Sequence, residues 1–127
     1  MNYTPNKITH LEPNEVFVFG SNEAGRHGQG AARDALKFGA QYGIGYGISG
    51  QTFAIPTKDA ELRVLPLFRI RQYVKAFLTY ADFSESTFLV TPIGCGLAGY
   101  QPRDIAPFFR GAPANVIIPQ SFAEAMQ

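Results

Sequence analysis

The sequence predicts a single α/β domain built on a mostly parallel sheet, and three observations carry that expectation. Short runs rich in Val, Phe and Ile alternate along the chain with segments of helical periodicity. Of the three strand-to-helix connections, "GSNEAGRHGQG", "PTKD" and "IGCGLAGY", two are rich in glycine. The 127 residues, 46% of them hydrophobic, suffice for one ordinary core and are too few for two, so residues 1–127 form one domain.

The first strand is "EVFVFG" (15–20), a buried run that ends on glycine. A turn-forming stretch leads to "AARDALKFGAQYG", where Ala31, Ala32, Ala35 and Leu36 share one side at helical spacing and are small enough to pack closely on a sheet. "TFAIPT" (52–57) reads as a second core strand stopped by Pro56. The clearest helix runs from Pro66 to Phe83, with Leu67, Ile70, Val74, Phe77, Leu78 and Ala81 on one face and the proline at its start. "TFLVTPI" (87–93) is the third strand, "PRDIAPFFR" a short helix kinked or ended by Pro107, and "NVIIP" (115–119) the fourth strand. "SFAEAMQ" reads as a helical turn or a frayed tail. No internal repeat, low-complexity tract or interdomain linker interrupts this order.

Eleven basic and ten acidic residues leave a formal charge of +1, which provides no general attraction to nucleic acid or to an anionic membrane. An anionic ligand must therefore be held by local geometry. A single cysteine cannot form an intramolecular disulfide, and "MNYTPNKITH" has neither the basic start nor the apolar core of a signal peptide, so a cytoplasmic setting is expected. No apolar run approaches a membrane-spanning length.

In open parallel sheets ligands bind outside the carboxyl ends of the strands. The first loop there carries Gly25, Gly28 and Gly30 between a strand and a helix, a setting in which backbone amides approach a phosphate. Arg26 and His27 stand within it, either to touch an anion or a ribose or as solvated tip residues, and Asn22 either reads a base or ribose edge or closes an Asx turn. "GYGISG" (45–50) matches G-x-G-x-x-G letter for letter, but the strand pattern "QTFAIPT" follows where a dinucleotide-binding fingerprint needs a helix. It is read as a flexible crossing. The loop "TPIGCGLAGY" (91–100) has no charged residue, as expected of a loop that works through its backbone.

The order "VFGSN", "GRHGQGAA", "FAIPTKD", "VTPIGCGLAGY" and "NVIIP" resembles a compact macrodomain, specifically the branch containing terminal ADP-ribose protein glycohydrolase and the antitoxin macrodomains that remove ADP-ribose from DNA. The resemblance spans about residues 15–119 and implies a three-layer α/β/α sandwich that binds ADP-ribose. It implies that Gly20, Ser21, Asn22, Gly25, Arg26, His27, Gly28, Gly30 and Thr57 lie about the distal ribose and neighbouring groups. It further implies that Ile93, Gly94, Cys95, Gly96, Leu97, Ala98, Gly99 and Tyr100 wrap the diphosphate through their amides. The implied partner is ADP-ribose or an ADP-ribosylated macromolecule, with nucleic acid involved only as a modified substrate. No metal or cofactor is implied.

Cys95 is read as a small polarizable residue packed beneath the loop, since a reactive thiol needs a lowered pKa and a partner in reach. Lys58 falls where the glycohydrolase branch has a lysine that attacks the anomeric carbon of the distal ribose. That branch has an acidic residue directly after Gly-Cys-Gly-Leu, and here the position is Ala98. Asp59 beside Lys58, or Glu23 in the first loop, are the candidates to replace the missing acid. Two readings follow: a hydrolase that cleaves an ADP-ribosyl linkage, and a module that binds, senses or sequesters an ADP-ribose-like nucleotide without turnover.

Overall fold

The computed structural model describes residues 2–127. Strand β1 (Glu15–Asn22) runs through its centre, and the two-residue period of a strand sends its side chains to opposite faces. Val16 and Val18 join one core with Phe53 and Ile55 of β3 (Thr52–Lys58) and Phe88 and Val90 of β4 (Thr87–Val90). Phe17, Phe19, Ala54 and Leu89, the alternate residues, join another.

Helix α2 (Leu67–Asp82) covers the first face through Ile70, Val74, Phe77 and Ala81, all fully buried and spaced for one side of a helix. Pro66 is the cap residue, one position before the helix proper. Ile105 of α3 (Pro102–Ile105) and Phe122 of α4 (Gln120–Ala125) complete that core. The α-helix ends early, at Ile105, and Pro107 falls in a 3₁₀ turn over Ala106–Phe109 that buries Phe109. The C-terminal segment is a packed helix, because Phe122 is fully buried against Phe109, ring centroids 5.7 Å apart. On the other face α1 (Gly30–Ala35) presents Ala32 and Ala35, whose small size lets it lie close to β1. It is shorter than its sequence pattern predicts: a 3₁₀ turn over Leu36–Phe38 follows, ended by Gly39 at φ 108°.

The five strands stand in the order β2-β3-β1-β4-β5, where β2 is Gly47–Ser49 and β5 is Val116–Ile117. β1 pairs in parallel with both β3 and β4, β5 is parallel to β4, and only β2 is antiparallel. The strand β2 corrects the sequence reading of residues 45–50 as a flexible crossing. A two-residue turn, Gly50–Gln51, folds this segment back so that Ser49 pairs with Thr52, and Gly50 supplies the positive φ of 55° that such hairpins need. Two of the glycines that imitate a nucleotide fingerprint serve packing: a Cβ on Gly45 would fall 2.1 Å from the carbonyl oxygen of Asn22, and Gly50 packs on Gly39.

No helix among the described residues is long and apolar enough to cross a membrane. The backbone approach of Gly45 to the end of β1 yields a prediction. Gly45→Ala should destabilise the protein by about 1–3 kcal/mol or more, since backbone must move to admit the methyl group. Gly28→Ala, whose new Cβ meets nothing within 4 Å, should change denaturant stability by no more than about 0.5 kcal/mol.

Candidate functional site

The parallel order of β3, β1 and β4 brings their carboxyl ends together, and a cleft of about 570 Å³ opens there. Gly20, Ser21 and Asn22 form its floor at the end of β1, with Arg26 and Gly28–Ala32 on the side of the first loop. Thr57, Lys58 and Leu62 come from the end of β3 and the loop beyond it. Thr91–Gly94 and Gly96–Ala98 come from the second glycine-rich loop.

A bulge shapes the β3 side. Ser21 stands opposite Pro56, but Asn22 stands opposite Lys58, so Thr57 is an extra residue in the ladder. The pairing then resumes, with the Glu23 amide donating to the Lys58 carbonyl at 2.9 Å.

The second loop turns tightly on itself. The Ile93 amide donates to Thr91 O (2.6 Å), Cys95 to Pro92 O (3.2 Å), Gly99 to Gly96 O (3.0 Å) and Tyr100 to Gly94 O (2.8 Å), with Gly94 and Gly99 at φ 75° and 86°. Among the described residues none accepts a hydrogen bond from the amides of Gly94, Gly96, Leu97 or Ala98, and all four of these residues line the cleft. Unpaired backbone N–H groups brought close together are the feature on which anion-binding concavities are built. The side chain of Ile105 lies 3.1 Å from where a Cβ of Gly94 would be, which fixes the loop's height above the core.

The first loop is closed from within by Asn22. Its Oδ1 accepts from the Arg26 amide (3.0 Å) and its Nδ2 donates to the Arg26 carbonyl (2.8 Å), so of the two roles open to Asn22 the structure displays the loop clamp. Gly25 lies outside the cleft lining, with φ 70° and its backbone against Gly43 and Ile44. His27 is fully buried under the loop, neither in the lining nor at a solvated tip. It shares a 3.0 Å hydrogen bond between Nε2 and Ser21 Oγ, meets Phe19 edge-on and lies beside the Tyr42 ring. Its Nδ1 has no partner in hydrogen-bonding geometry; burial pushes its pKa down, and the nearby Ile44 backbone opposes this only in part.

Arg26 and Lys58 are the only charged residues in the lining, and neither makes an ion pair among the described residues. The two candidate acids are engaged elsewhere. Asp59 Oδ1 accepts from the amides of Glu61 and Arg63, both 2.9 Å, and Oδ2 accepts from Arg63 Nε at 2.9 Å. The Arg63 amide above all holds this carboxyl below its ordinary pKa. Glu23 accepts from the Tyr73 hydroxyl and from Arg69 (3.1 Å), tying the first loop to α2, while burial and the Glu23 carboxylate raise the pKa of Tyr73. Neither acid lines the cleft.

Cys95, Gly99 and Tyr100 also lie outside the lining. Cys95 packs against the core, and burial, helped by Asp104, pushes its thiol up to about 11. The Tyr100 hydroxyl donates to Leu65 O at 2.6 Å, anchoring the loop's end to the segment before α2. The structure adds lining residues that sequence reasoning missed: Gln29, Ala31, Ala32, Leu62, Thr91 and Pro92. Gln29 and Ala31 adjoin glycines already singled out, Ala32 follows Ala31 on α1, and Thr91 and Pro92 open the uncharged 91–100 loop. Leu62 carries no local signal, because its place depends on how the chain turns after β3.

The chain matches no family model, no curated protein and no solved structure.

His27 makes the stability of this loop depend on pH. Its pKa is lowered in the folded state, so the unfolded chain binds more protons near and below the ordinary value of 6.5. Stability should therefore be fully expressed above that value and should fall as the pH drops from 6.5 toward the lowered folded value. Urea titrations across pH 7.5 to 5 should show this slope, and His27→Gln should flatten it even if overall stability changes.

Proposed function

We propose that the cleft binds ADP-ribose or a closely related nucleotide diphosphate, with the diphosphate against the Gly94–Ala98 segment. One observation carries the reading: four residues of one loop whose amides are unpaired line a cleft whose only charged lining residues, among those described, are the cations Arg26 and Lys58. An anion there gains hydrogen bonds and charge attraction and meets no carboxylate to repel it. The protein's net charge of +1 leaves this attraction local, which suits a small ligand or a modification on a larger partner better than a nucleic-acid backbone. A macrodomain-like, three-layer α/β/α arrangement and a cytoplasmic setting belong to the same proposal, supported by helical cover on both sheet faces and by a lone free thiol.

Binding without turnover is the reading favoured here over hydrolysis. Cleavage of a glycosidic linkage draws on a carboxylate to move a proton or activate water. Ala98 stands where the resemblance places that acid, and Asp59 and Glu23 are both held by other partners. The second reading, attack by Lys58 on the anomeric carbon, is favoured by one observation: Lys58 lines the cleft with no ion-pair partner.

Calorimetry against ADP-ribose, ADP and AMP tests the binding proposal. Gly96 has no positive φ, and a Cβ there meets nothing within 4 Å, so Gly96→Val should fold normally while its side chain obstructs the amides. The expected result is a loss of affinity of at least about tenfold with an unchanged melting temperature. Equal affinity in the folded variant, or no binding by the wild type, refutes the proposal.

Lys58 separates the two readings. In a binder, Lys58→Arg should keep most of the affinity and Lys58→Ala should lose about three- to tenfold, with no turnover of protein-linked or DNA-linked ADP-ribose by any variant. Turnover by the wild type that disappears in both variants while binding persists would establish the lysine as a nucleophile.

A further inference from the structure

Leu62 is the one described residue other than glycine with a positive φ, 64°. A leucine disfavours this left-handed backbone, because its Cβ crowds the following carbonyl, and Gly or Asn is the usual occupant. Burial does not compensate: the residue is 45% exposed. Its backbone is held from the side by Asp59, whose carbonyl accepts the Leu62 amide (3.0 Å) and whose carboxylate grips the amides of Glu61 and Arg63 on either side. The Arg63 carbonyl accepts in turn from the Asp59 amide at 2.8 Å, and its guanidinium closes the brace on Asp59 Oδ2. An exposed apolar side chain is thus fixed in a disfavoured backbone, and it lines the cleft next to Lys58.

We infer that Leu62 is a ligand-contacting residue of the cleft, packing on a ring face of the bound nucleotide, and that Asp59 is the positioning residue that holds it there. This rests on the nucleotide-binding proposal above and deepens it. The chemistry is complementary to that of the second loop. Amides and cations suit the diphosphate, whereas the faces of a ribose or a nucleobase are largely apolar and are covered by side chains such as leucine. Folding offers no strong reason for leucine at this position, since glycine would meet the backbone demand and the side chain stays 45% exposed. Strain retained at a cleft residue is characteristic of sites where function selects the side chain.

Two substitutions that tolerate positive φ test the assignment. Leu62→Gly relieves the backbone and removes the contact; Leu62→Asn also accepts the left-handed region and keeps bulk while making it polar. In both, the melting temperature should stay level or rise, and affinity for ADP-ribose should fall by about three- to tenfold by calorimetry. Repeating the titration with ADP identifies the ring. A loss seen with ADP-ribose alone assigns the contact to the terminal ribose, and a loss with both ligands assigns it to the adenosine; either supports the inference. Asp59→Asn should weaken binding in the same direction with Leu62 intact, and should change affinity little when combined with Leu62→Gly, because the brace acts through that side chain. Wild-type binding that both Leu62 variants retain in full overturns the inference while leaving the binding proposal standing. A marked drop in melting temperature in both variants also overturns it, since the leucine would then serve the fold. Absence of binding by the wild type refutes the parent proposal instead.

Discussion

The parallel pairing of β1 with a neighbour on each side is the constraint on which the rest of the structure depends. Phe17 to Ser21 are in register with Thr52 to Pro56 on one side, and Glu15 to Val18 with Thr87 to Val90 on the other. Because the strands run the same way, their connections must leave from one end, and all three loops that line the cleft originate there. The same pairing sends Val16 and Val18 to one core and Phe17 and Phe19 to the other, so each helix has an apolar face to cover. Slipping β1 by one residue would exchange the two faces and misplace every loop.

Charge is distributed with respect to this cleft so that cations line it and the nearby carboxylates do not. Arg26 and Lys58 face it, and the nearby acids are withdrawn from it: Glu23 into a clamp on Tyr73 and Arg69, and Asp59 into a brace around residues 61–63. Both acids act on structure close to the cleft. Glu23 ties the first loop to the N-terminal part of α2, and Asp59 dictates the turn that carries Leu62. His27, buried and unfavourable to protonate, supports the first loop as a neutral hydrogen-bonding group on Ser21.

The glycines divide by what surrounds them. Gly45, Gly39 and Gly50 are required by close backbone approach, and a side chain on any of them would overlap neighbouring main chain. Gly28 and Gly96 face open space, so their lack of a side chain is not demanded by packing within the chain. Counting glycines in a motif does not distinguish these cases. "GYGISG" (45–50) and "GCGLAG" (94–99) both satisfy G-x-G-x-x-G, yet the first builds a hairpin and the second leaves four amides unpaired.

The four parallel strands, the long helix and the location of the cleft were legible in the sequence because they follow from local periodicity and from the rule that parallel strands end together. Helix α2 spans Leu67–Asp82, within a residue of its pattern at each end, since one apolar face at helical spacing leaves little choice. The uncharged residues 91–100 form a loop that turns on its own backbone hydrogen bonds. Tertiary structure alone decided which side chains meet in the cleft. Asp59 adjoins Lys58 in sequence, but its carboxylate turns to Arg63, because amides and a guanidinium stabilise it better than an open surface does. His27 lies between two exposed residues, yet Phe19, Tyr42 and Ser21 enclose it. Leu62 reaches the cleft through a left-handed turn that no propensity of leucine predicts. His27 depends on partners distant in sequence, and the Asp59–Arg63 brace and Leu62 depend on a local turn with a disfavoured conformation, and neither can be read from the order of residues.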